Sequence, residues 1–430
     1  MSLDTIQQDR SQASATGVPA DQISTGADLE ELEARFRPIF ARIHETARER
    51  DRERRLPRTE IDELRRAGFG ALRVPKVFGG AGASITQLTG LLTELSAADP
   101  NVNQALRGHL AFVEDRLWQH RDTDQSRWFH RFVAGDLVGN AWTEVGDVRV
   151  GEVQTRVTRQ SDGDYLASGR KYYTTGSIFA DWIDLYAQRA EDGVPVIAAV
   201  STHQDGVVIE NDWNGFGQRT TGSGTTILQD ARVAPEEITV FAERFPYQTA
   251  FYQLSHLASQ AGIARGAVDE LVELVRQRVR VYSHGSSARW HEDPLVLQQV
   301  GIADAEAFAA RTTAERVGET LQQLYLAHCR GDGAREREFV DAGELDASRG
   351  QSVNTKLSLD VATRIFNALG ASAASEDLGL DRHWRNARTV SSHNPVIFKE
   401  RVIGDWLVNG TPLPYAWAIG RERDERGARA

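Results

Sequence analysis

The hydrophobic positions of this chain change period twice. From Leu29 to Arg55, Leu32, Phe36, Ile39 and Ile43 recur at spacings of four and three among Glu, Arg and Ala, which predicts an amphipathic helix. Pro38 is a candidate kink in it and Pro57 its stop. Shorter helical patterns follow over Thr59 to Ala67, closed by Gly68, then Thr86 to Ala98, Asn103 to His120 and Asp124 to Val133. Near Asp136 the period falls to two: Val153, Thr155 and Val157 alternate with Gln154, Arg156 and Thr158, and Asp162-Gly163 supplies a hairpin turn before YLASGRKYY. WIDLYAQRA and VPVIAAVS flank a second turn at Glu191-Asp192-Gly193, with GVVIEND and TTILQDARV beyond it. After about Arg244 the helical period returns over 247 to 280, 293 to 329, 344 to 370 and 395 to 408. The order predicts an α+β chain, mainly α. Residues 1–28 form a flexible tail, 29–136 a helical domain, 137–245 an antiparallel β domain and 246–430 a C-terminal helical bundle.

Composition narrows the function. A chain of 430 residues, 40% hydrophobic and 26% charged, is an ordinary globular protein of two or three domains. No apolar run approaches the roughly 18 residues that span a bilayer, so no membrane is expected. Lys plus Arg number 50 against 61 Asp plus Glu, and the net charge of −11 gives nucleic acid no general attraction. The single cysteine, Cys329, excludes an intrachain disulfide and a cysteine-based zinc site. The start MSLDTIQQDR lacks the plan of a signal peptide, and a cytoplasmic protein is expected. There is no GxxxxGK[ST] and no HExxH, while Gly222-Ser223-Gly224 lacks the spacing of a nucleophile elbow. The glycine cluster from Phe78 to Ala83 follows a helix and Pro75 instead of a strand, so it does not read as a dinucleotide fingerprint.

VPKVFGGAGAS (74–84), GNAWTEVGD (139–147), KYYTTGSIFADW (171–182), GFGQRTTGSGTTILQDARV (215–233), NALGASAA (367–374) and RNARTVSSHNPVIFKERVIGDW (385–406) occur in this order. Together they resemble the acyl-CoA dehydrogenase fold of flavoproteins over about residues 29 to 420. An isoalloxazine ring needs a flat aromatic or apolar wall and hydrogen-bonding groups around its N5 and O4 edge. Trp142, Thr143, Thr174, Thr175 and Gly176 are of that kind, and the resemblance places Asn140, Trp142, Thr143, Thr175 and Gly176 beside the flavin. The plain alternative is a Trp filling a β core among threonines chosen for strand propensity. Dehydrogenation in the family requires a carboxylate to remove an α-proton. Asn394, beside His393, and Ser255 stand near the two places where the resemblance puts that glutamate, so ordinary acyl-CoA dehydrogenation is not expected.

LRGHLAFVEDRL (106–117), RVYSHG with EDPLVLQQVG (280–301) and ARTVSSHNPVIFKERVIGDWLVNG (387–410) resemble the flavin-dependent monooxygenase branch of that fold. The branch implies a two-component enzyme. Reduced FMN, with FAD as the alternative, comes from a separate NAD(P)H-dependent flavin reductase. It reacts with O2 through a C4a-(hydro)peroxyflavin to oxygenate a small organic substrate, an organosulfur or aromatic compound. A homotetramer is implied as well. His109 lies on an apolar helix stripe with Leu106, Leu110, Val113 and Leu117; it reads as a core histidine alone and as a pocket histidine by resemblance. His393 precedes Asn394-Pro395, where Asn can cap a helix and Pro can open it, a rigid perch for a proton donor; its alternative is a surface loop. His393, His109 and Thr175 are thus the catalytic candidates. Arg280 and Lys399 are candidates for the flavin phosphate, against exposed helix charges. Tyr282, His284, Trp290 and His291 line the site or form a solvent loop. Three rival readings stand: an amine or amino-sugar N-oxygenase of the same fold, an atypical acyl-CoA dehydrogenase, and a non-catalytic scaffold.

Overall fold

The computed structural model describes residues 17–145 and 153–414. Five helices open the fold: α1 (Leu29–Glu53), α2 (Arg58–Arg66), α3 (Ile85–Ala98), α4 (Pro100–Gln119) and α5 (Ser126–Ala134). In α1 the stripe from Leu32 to Ala47 is buried, and the helix ends because Arg54 turns left-handed at φ 52°; Pro57 instead leads into α2. Helix α3 begins at a capping box in which Ser84 and Gln87 satisfy each other's backbone N–H groups. Gly17 to Asp28, expected to stand outside the fold with the preceding residues, packs onto it. Val18 N–H donates to Cys329 O at 2.8 Å, and the fully buried Ser24 donates its N–H to the Tyr325 hydroxyl at 3.2 Å. These contacts are made by backbone groups of a segment without an apolar period, so the sequence pattern is silent about them. Residues 1–16 lie outside the described residues.

Eight strands follow: β1 (Val138–Ala141), β2 (Arg156–Arg159), β3 (Tyr165–Lys171), β4 (Trp182–Arg189), β5 (Pro195–Ser201), β6 (Val207–Ile209), β7 (Thr226–Val233) and β8 (Ile238–Val240). They form one sheet in the order β6-β7-β3-β2-β4-β5-β8, with β1 also on β4. The hairpins at Gly163 and Gly193 join β2 to β3 and β4 to β5 antiparallel, with both glycines at positive φ as such turns require. The sheet is not antiparallel throughout. Strands β1 and β2 pair with opposite ends of β4 in parallel, Val138 with Trp182 and Arg156 with Gln188, so the chain runs twice in one direction along the same edge.

Five helices close the fold: α6 (Gln248–Gln277), α7 (Pro294–Cys329), α8 (Gly333–Leu369), α9 (Asp381–Ser391) and α10 (Val396–Asn409). Ala303, Ala307, Ala310 and Ala314 are buried at helical spacing along α7 and make a seam of small residues for helix packing. Helix α8 starts eleven residues before the expected 344, because Asp332 caps it through Arg335 N–H while its first turns are too charged to show an apolar period. Helix α9 escapes the sequence pattern for the same reason, since Arg, His and Asn fill much of its buried face. The hydrophobic core of the first helices runs without a break into α6 and α7, while the sheet keeps a core of its own. No described helix is long and apolar enough to cross a membrane.

The sheet is tied to both helical layers by buried charge. Arg244, just before α6, donates to Asp184 on β4 at 2.9 Å and lies 4.0 Å from Asp115 on α4, with all three side chains no more than 1% exposed. Arg244→Met leaves Asp184 buried without its cation, while Asp115 keeps Arg116, and is expected to destabilise the fold by about 3–5 kcal/mol. Urea unfolding monitored by circular dichroism measures this, and an unchanged midpoint would contradict the role assigned to the pair.

Candidate active site

A cavity of about 930 Å³ opens where α4, the β1 edge, the first half of α6 and the α9–α10 junction meet. That volume is at the upper end for a small-molecule site. Helix α4 brings Gln104 and Arg107 to its wall, three residues apart on one face. Gly108 lets β1 come this close, because a Cβ there would sit 3.0 Å from Asn140 Oδ1. From α6 come Gln248 and Tyr252, one helical turn apart. His256, a turn further along α6, lies with its ring centroid 4.3 Å from that of His393. The β6–β7 connection gives Trp213, Gln218, Thr221 and Ser223, and the α9–α10 junction gives Thr389, His393, Asn394 and Phe398.

The wall has an aromatic side and a polar side. Trp142 packs among Tyr186, Phe241 and Tyr252 with ring centroids 5.7–5.9 Å away, and the Arg244 guanidinium lies 4.7 Å over its ring. Thr175 Oγ1, Ser223 Oγ and Thr221 Oγ1 form a hydroxyl chain with steps of 2.6 and 2.7 Å that ends by donation to Gln218 O at 3.0 Å. Asn140 Oδ1, Trp142 Nε1, Gln104 Oε1, Arg107 Nε, Gln248 Oε1 and both side-chain polar atoms of Gln218 are buried without a hydrogen-bond partner, all on lining residues. Buried polar atoms are rarely left so, and here they stand just behind the lining, with almost no accessible surface of their own. The aromatic side of the wall together with the Thr175–Ser223–Thr221 hydroxyl chain fits a flavin ring.

Among the described lining residues Glu144 is the sole carboxylate, and it is engaged by Lys171 Nζ at 2.7 Å and Thr155 N–H at 2.9 Å. No free carboxylate stands at Asn394, whose Nδ2 donates to Gln253 Oε1 at 3.3 Å, or at Ser255, which is buried and donates to Asn103 Oδ1 at 3.3 Å. Asn394 does not cap α10, which has no side-chain cap.

Of the residues singled out from the sequence, Asn140, Trp142, Thr143, Thr175 and His393 line the cavity. His109 does not. It is 1% exposed, its Nδ1 accepts from Val138 N–H at 3.2 Å, and its Nε2–H donates to Gly70 O at 2.9 Å. Both ring nitrogens are thereby spent on backbone, and burial lowers its pKa to about 4, so this is a neutral core histidine joining α4 to β1. Thr174 is also turned away: fully buried, it donates to Gly224 O at 2.9 Å and accepts from the Thr226 hydroxyl at 2.8 Å. Gly176 serves packing, since at φ 82° an added Cβ would meet Ala105 O of α4 at 2.0 Å. Arg280 is exposed on the loop after α6, with Tyr282, His284 and His291, and none of these lines the cavity. Half-buried Trp290 lies beneath the Arg278 guanidinium, away from the cavity wall. Lys399 lies outside the cavity too, near enough to the buried Glu344 to act on its charge.

His393 keeps accessible surface because it faces the cavity. The protein packed around it withdraws water from the ring and the Arg107 guanidinium repels added positive charge, so its pKa is held well below the ordinary value. His256 is depressed by burial first, then by His393 and Arg107. The two rings are neutral near pH 7. Arg107 is the residue that sequence reading missed. It is 5% exposed, and its guanidinium lies 4.8 Å over the Tyr252 ring. A charge inside a helix reads as solvent-facing, yet every residue of α4 from Asn101 to Trp118 is buried.

Comparison with known proteins agrees with this geometry. The family pattern described as acyl-CoA dehydrogenase, N-terminal domain, matches residues 27–136, and that of the acyl-CoA dehydrogenase C-terminal domain matches 254–397. A probable FMNH2-dependent monooxygenase, SfnC, of Pseudomonas putida is 30% identical over 388 residues, covering 87% of this chain and 93% of the relative. Dibenzothiophene monooxygenase of Rhodococcus erythropolis is 28% identical over 395 residues, 86% of this chain and 91% of the relative. The crystal structure of FMN-bound TdsC from Paenibacillus sp. A11-2 superposes with a TM-score of 0.80 at 27% identity, over 88% of this chain and 97% of that one. The cavity without a free base among its described lining residues, its aromatic and hydroxyl-bearing walls and these likenesses converge: the chain belongs to the flavin-dependent monooxygenase branch of the acyl-CoA dehydrogenase fold superfamily.

Proposed function

We propose that the chain is the oxygenase component of a two-component cytoplasmic system that takes reduced FMN from a separate NAD(P)H-dependent reductase. Substrate, O2 and reduced FMN become oxygenated substrate, oxidised FMN and water. The observation that carries this reading is the Trp142 aromatic wall and the Thr175–Ser223–Thr221 hydroxyl chain lining one cavity that has no free carboxylate among its described lining residues. When bound, reduced FMN supplies the two electrons that activate O2. The chain's residues bind, orient and shield. Trp142 would flank the flavin ring, and the Thr175 and Ser223 hydroxyls, with Asn140 on the same wall, would hold its polar edge. Tyr186, Phe241 and Tyr252 keep that side dry, which protects a reactive oxygen species from water. His393, held neutral, offers its ring N–H as a hydrogen bond to the oxygen being transferred. An atypical dehydrogenase would find no free base among the described lining residues, where Glu144 is held by Lys171.

The homotetramer implied by the resemblance is part of the proposal. It is supported by α10, which buries no residue in the single chain and leaves Ile397, Phe398, Leu407 and Val408 exposed, an apolar face suited to another subunit. Sedimentation is expected to give four chains per particle, and a monomer at micromolar concentration would exclude it.

Titration with FMN is expected to quench tryptophan fluorescence, and Trp142→Ala to weaken FMN binding about tenfold, the scale of a lost aromatic contact. Equal affinity would remove Trp142 from the flavin. His393→Ala is expected to keep FMN binding and oxygen consumption while hydrogen peroxide release per O2 rises several-fold; unchanged coupling would end the role given to His393. Because the folded ring has a lowered pKa and is already neutral, coupling should be flat from about pH 6 to 8, whereas a histidine titrating at the ordinary value of 6.5 would give a step within that range.

A further inference from the structure

The oxygenase chemistry leaves the one buried cation of the described lining, the Arg107 guanidinium, without a role. Every other buried arginine of the described residues meets a carboxylate: Arg50 with Asp99 at 2.8 Å, Arg73 with Glu114 at 3.0 Å, Arg116 with Asp115 at 2.5 Å, Arg244 with Asp184 at 2.9 Å, and Arg382 with Glu270. Arg107 has no such partner among the described residues, and its Nε–H has no acceptor. An uncompensated buried cation is costly, and a fold that pairs its other buried arginines keeps this one open to the cavity. The Tyr252 ring occupies a face of the guanidinium and does not neutralise it. The neutral rings of His256 and His393 cannot supply negative charge, and Glu144 belongs to Lys171.

We propose that Arg107 is a substrate-specificity residue that receives an anionic group, a carboxylate or a sulfinate, carried by a small organic substrate. The proposal rests on the monooxygenase reading above and names the substrate class of that site. A guanidinium presents N–H groups in a fork that matches the two oxygens of either anion. Flavin phosphate is the other source of negative charge in such a site. In FMN it hangs at the end of a ribityl chain away from the ring, whereas the Arg107 guanidinium lies 4.8 Å over Tyr252, whose ring packs on the Trp142 wall assigned to the flavin ring. The anion therefore belongs to the substrate end. Gln104, one helical turn before Arg107, lines the cavity on the same helix face.

The test is calorimetric titration of the full-length protein, with FMN present, using benzenesulfinate against methyl phenyl sulfone and benzoate against benzamide. Each pair has closely similar size and differs in charge. Wild-type protein is expected to bind the anions at least about tenfold tighter than the neutral partners. Arg107→Gln should erase the difference without changing the affinity for the neutral compounds, and Arg107→Lys should restore part of it. The proposal is overturned if wild-type protein binds neither anion or shows no preference, or if Arg107→Gln keeps the preference. It is also overturned if Arg107→Gln weakens FMN but not riboflavin, which assigns the guanidinium to the flavin phosphate. Failure of the monooxygenase reading looks different, because wild-type protein would then bind neither FMN nor riboflavin.

Discussion

Arg244 is the knot of this protein. Its guanidinium joins Asp184 of the sheet and Asp115 of α4 just where the chain enters α6, and Asp115 also accepts the Phe245 backbone N–H at 3.1 Å. All three layers of the fold meet at this buried set of charges. The same guanidinium lies over Trp142, so the wall of the cavity rests directly on the interaction that holds the layers together. Water cannot reach the pair to substitute for a lost partner, which makes the junction unforgiving and the wall rigid. A rigid wall is what a site needs when a reactive oxygen species has to meet substrate before water.

Much of the fold is legible in the sequence because it rests on period. Helices with a clear apolar stripe, such as α1, and hairpins marked by Asp-Gly turns announce themselves. Elements whose buried faces are polar do not: α9 buries Arg382, His383 and Asn386, and the start of α8 is a run of charges. The direction of β1 and β2 along β4 is equally hidden, since a strand's alternation says nothing about which neighbour it pairs with.

The site is legible where a motif fixes residue and orientation together. Asn140, Trp142, Thr143, Thr175 and His393 reach the cavity; Thr174 does not, because its hydroxyl is bonded within the sheet while that of its neighbour Thr175 reaches Ser223. His109 misleads because α4 is buried on every side, so an inward-facing ring on it can meet backbone instead of the cavity. Arg107 carries no signal of its own in the sequence, since a lone charge in a helical pattern reads by default as solvent-facing. The available signal was its position between Leu106 and Gly108 in a helix with no continuous polar face. The unpaired cation and the orphaned amides are physical facts about partners, and partners cannot be read from one residue's identity.

The central claim is that this cavity holds reduced FMN and controls its reaction with oxygen. The most direct measurement mixes the anaerobic complex of protein and reduced FMN with oxygenated buffer and follows the return of oxidised-flavin absorbance. The account predicts reoxidation markedly slower than for free reduced FMN. Reoxidation at the rate of the free flavin, with the flavin demonstrably bound, would contradict it.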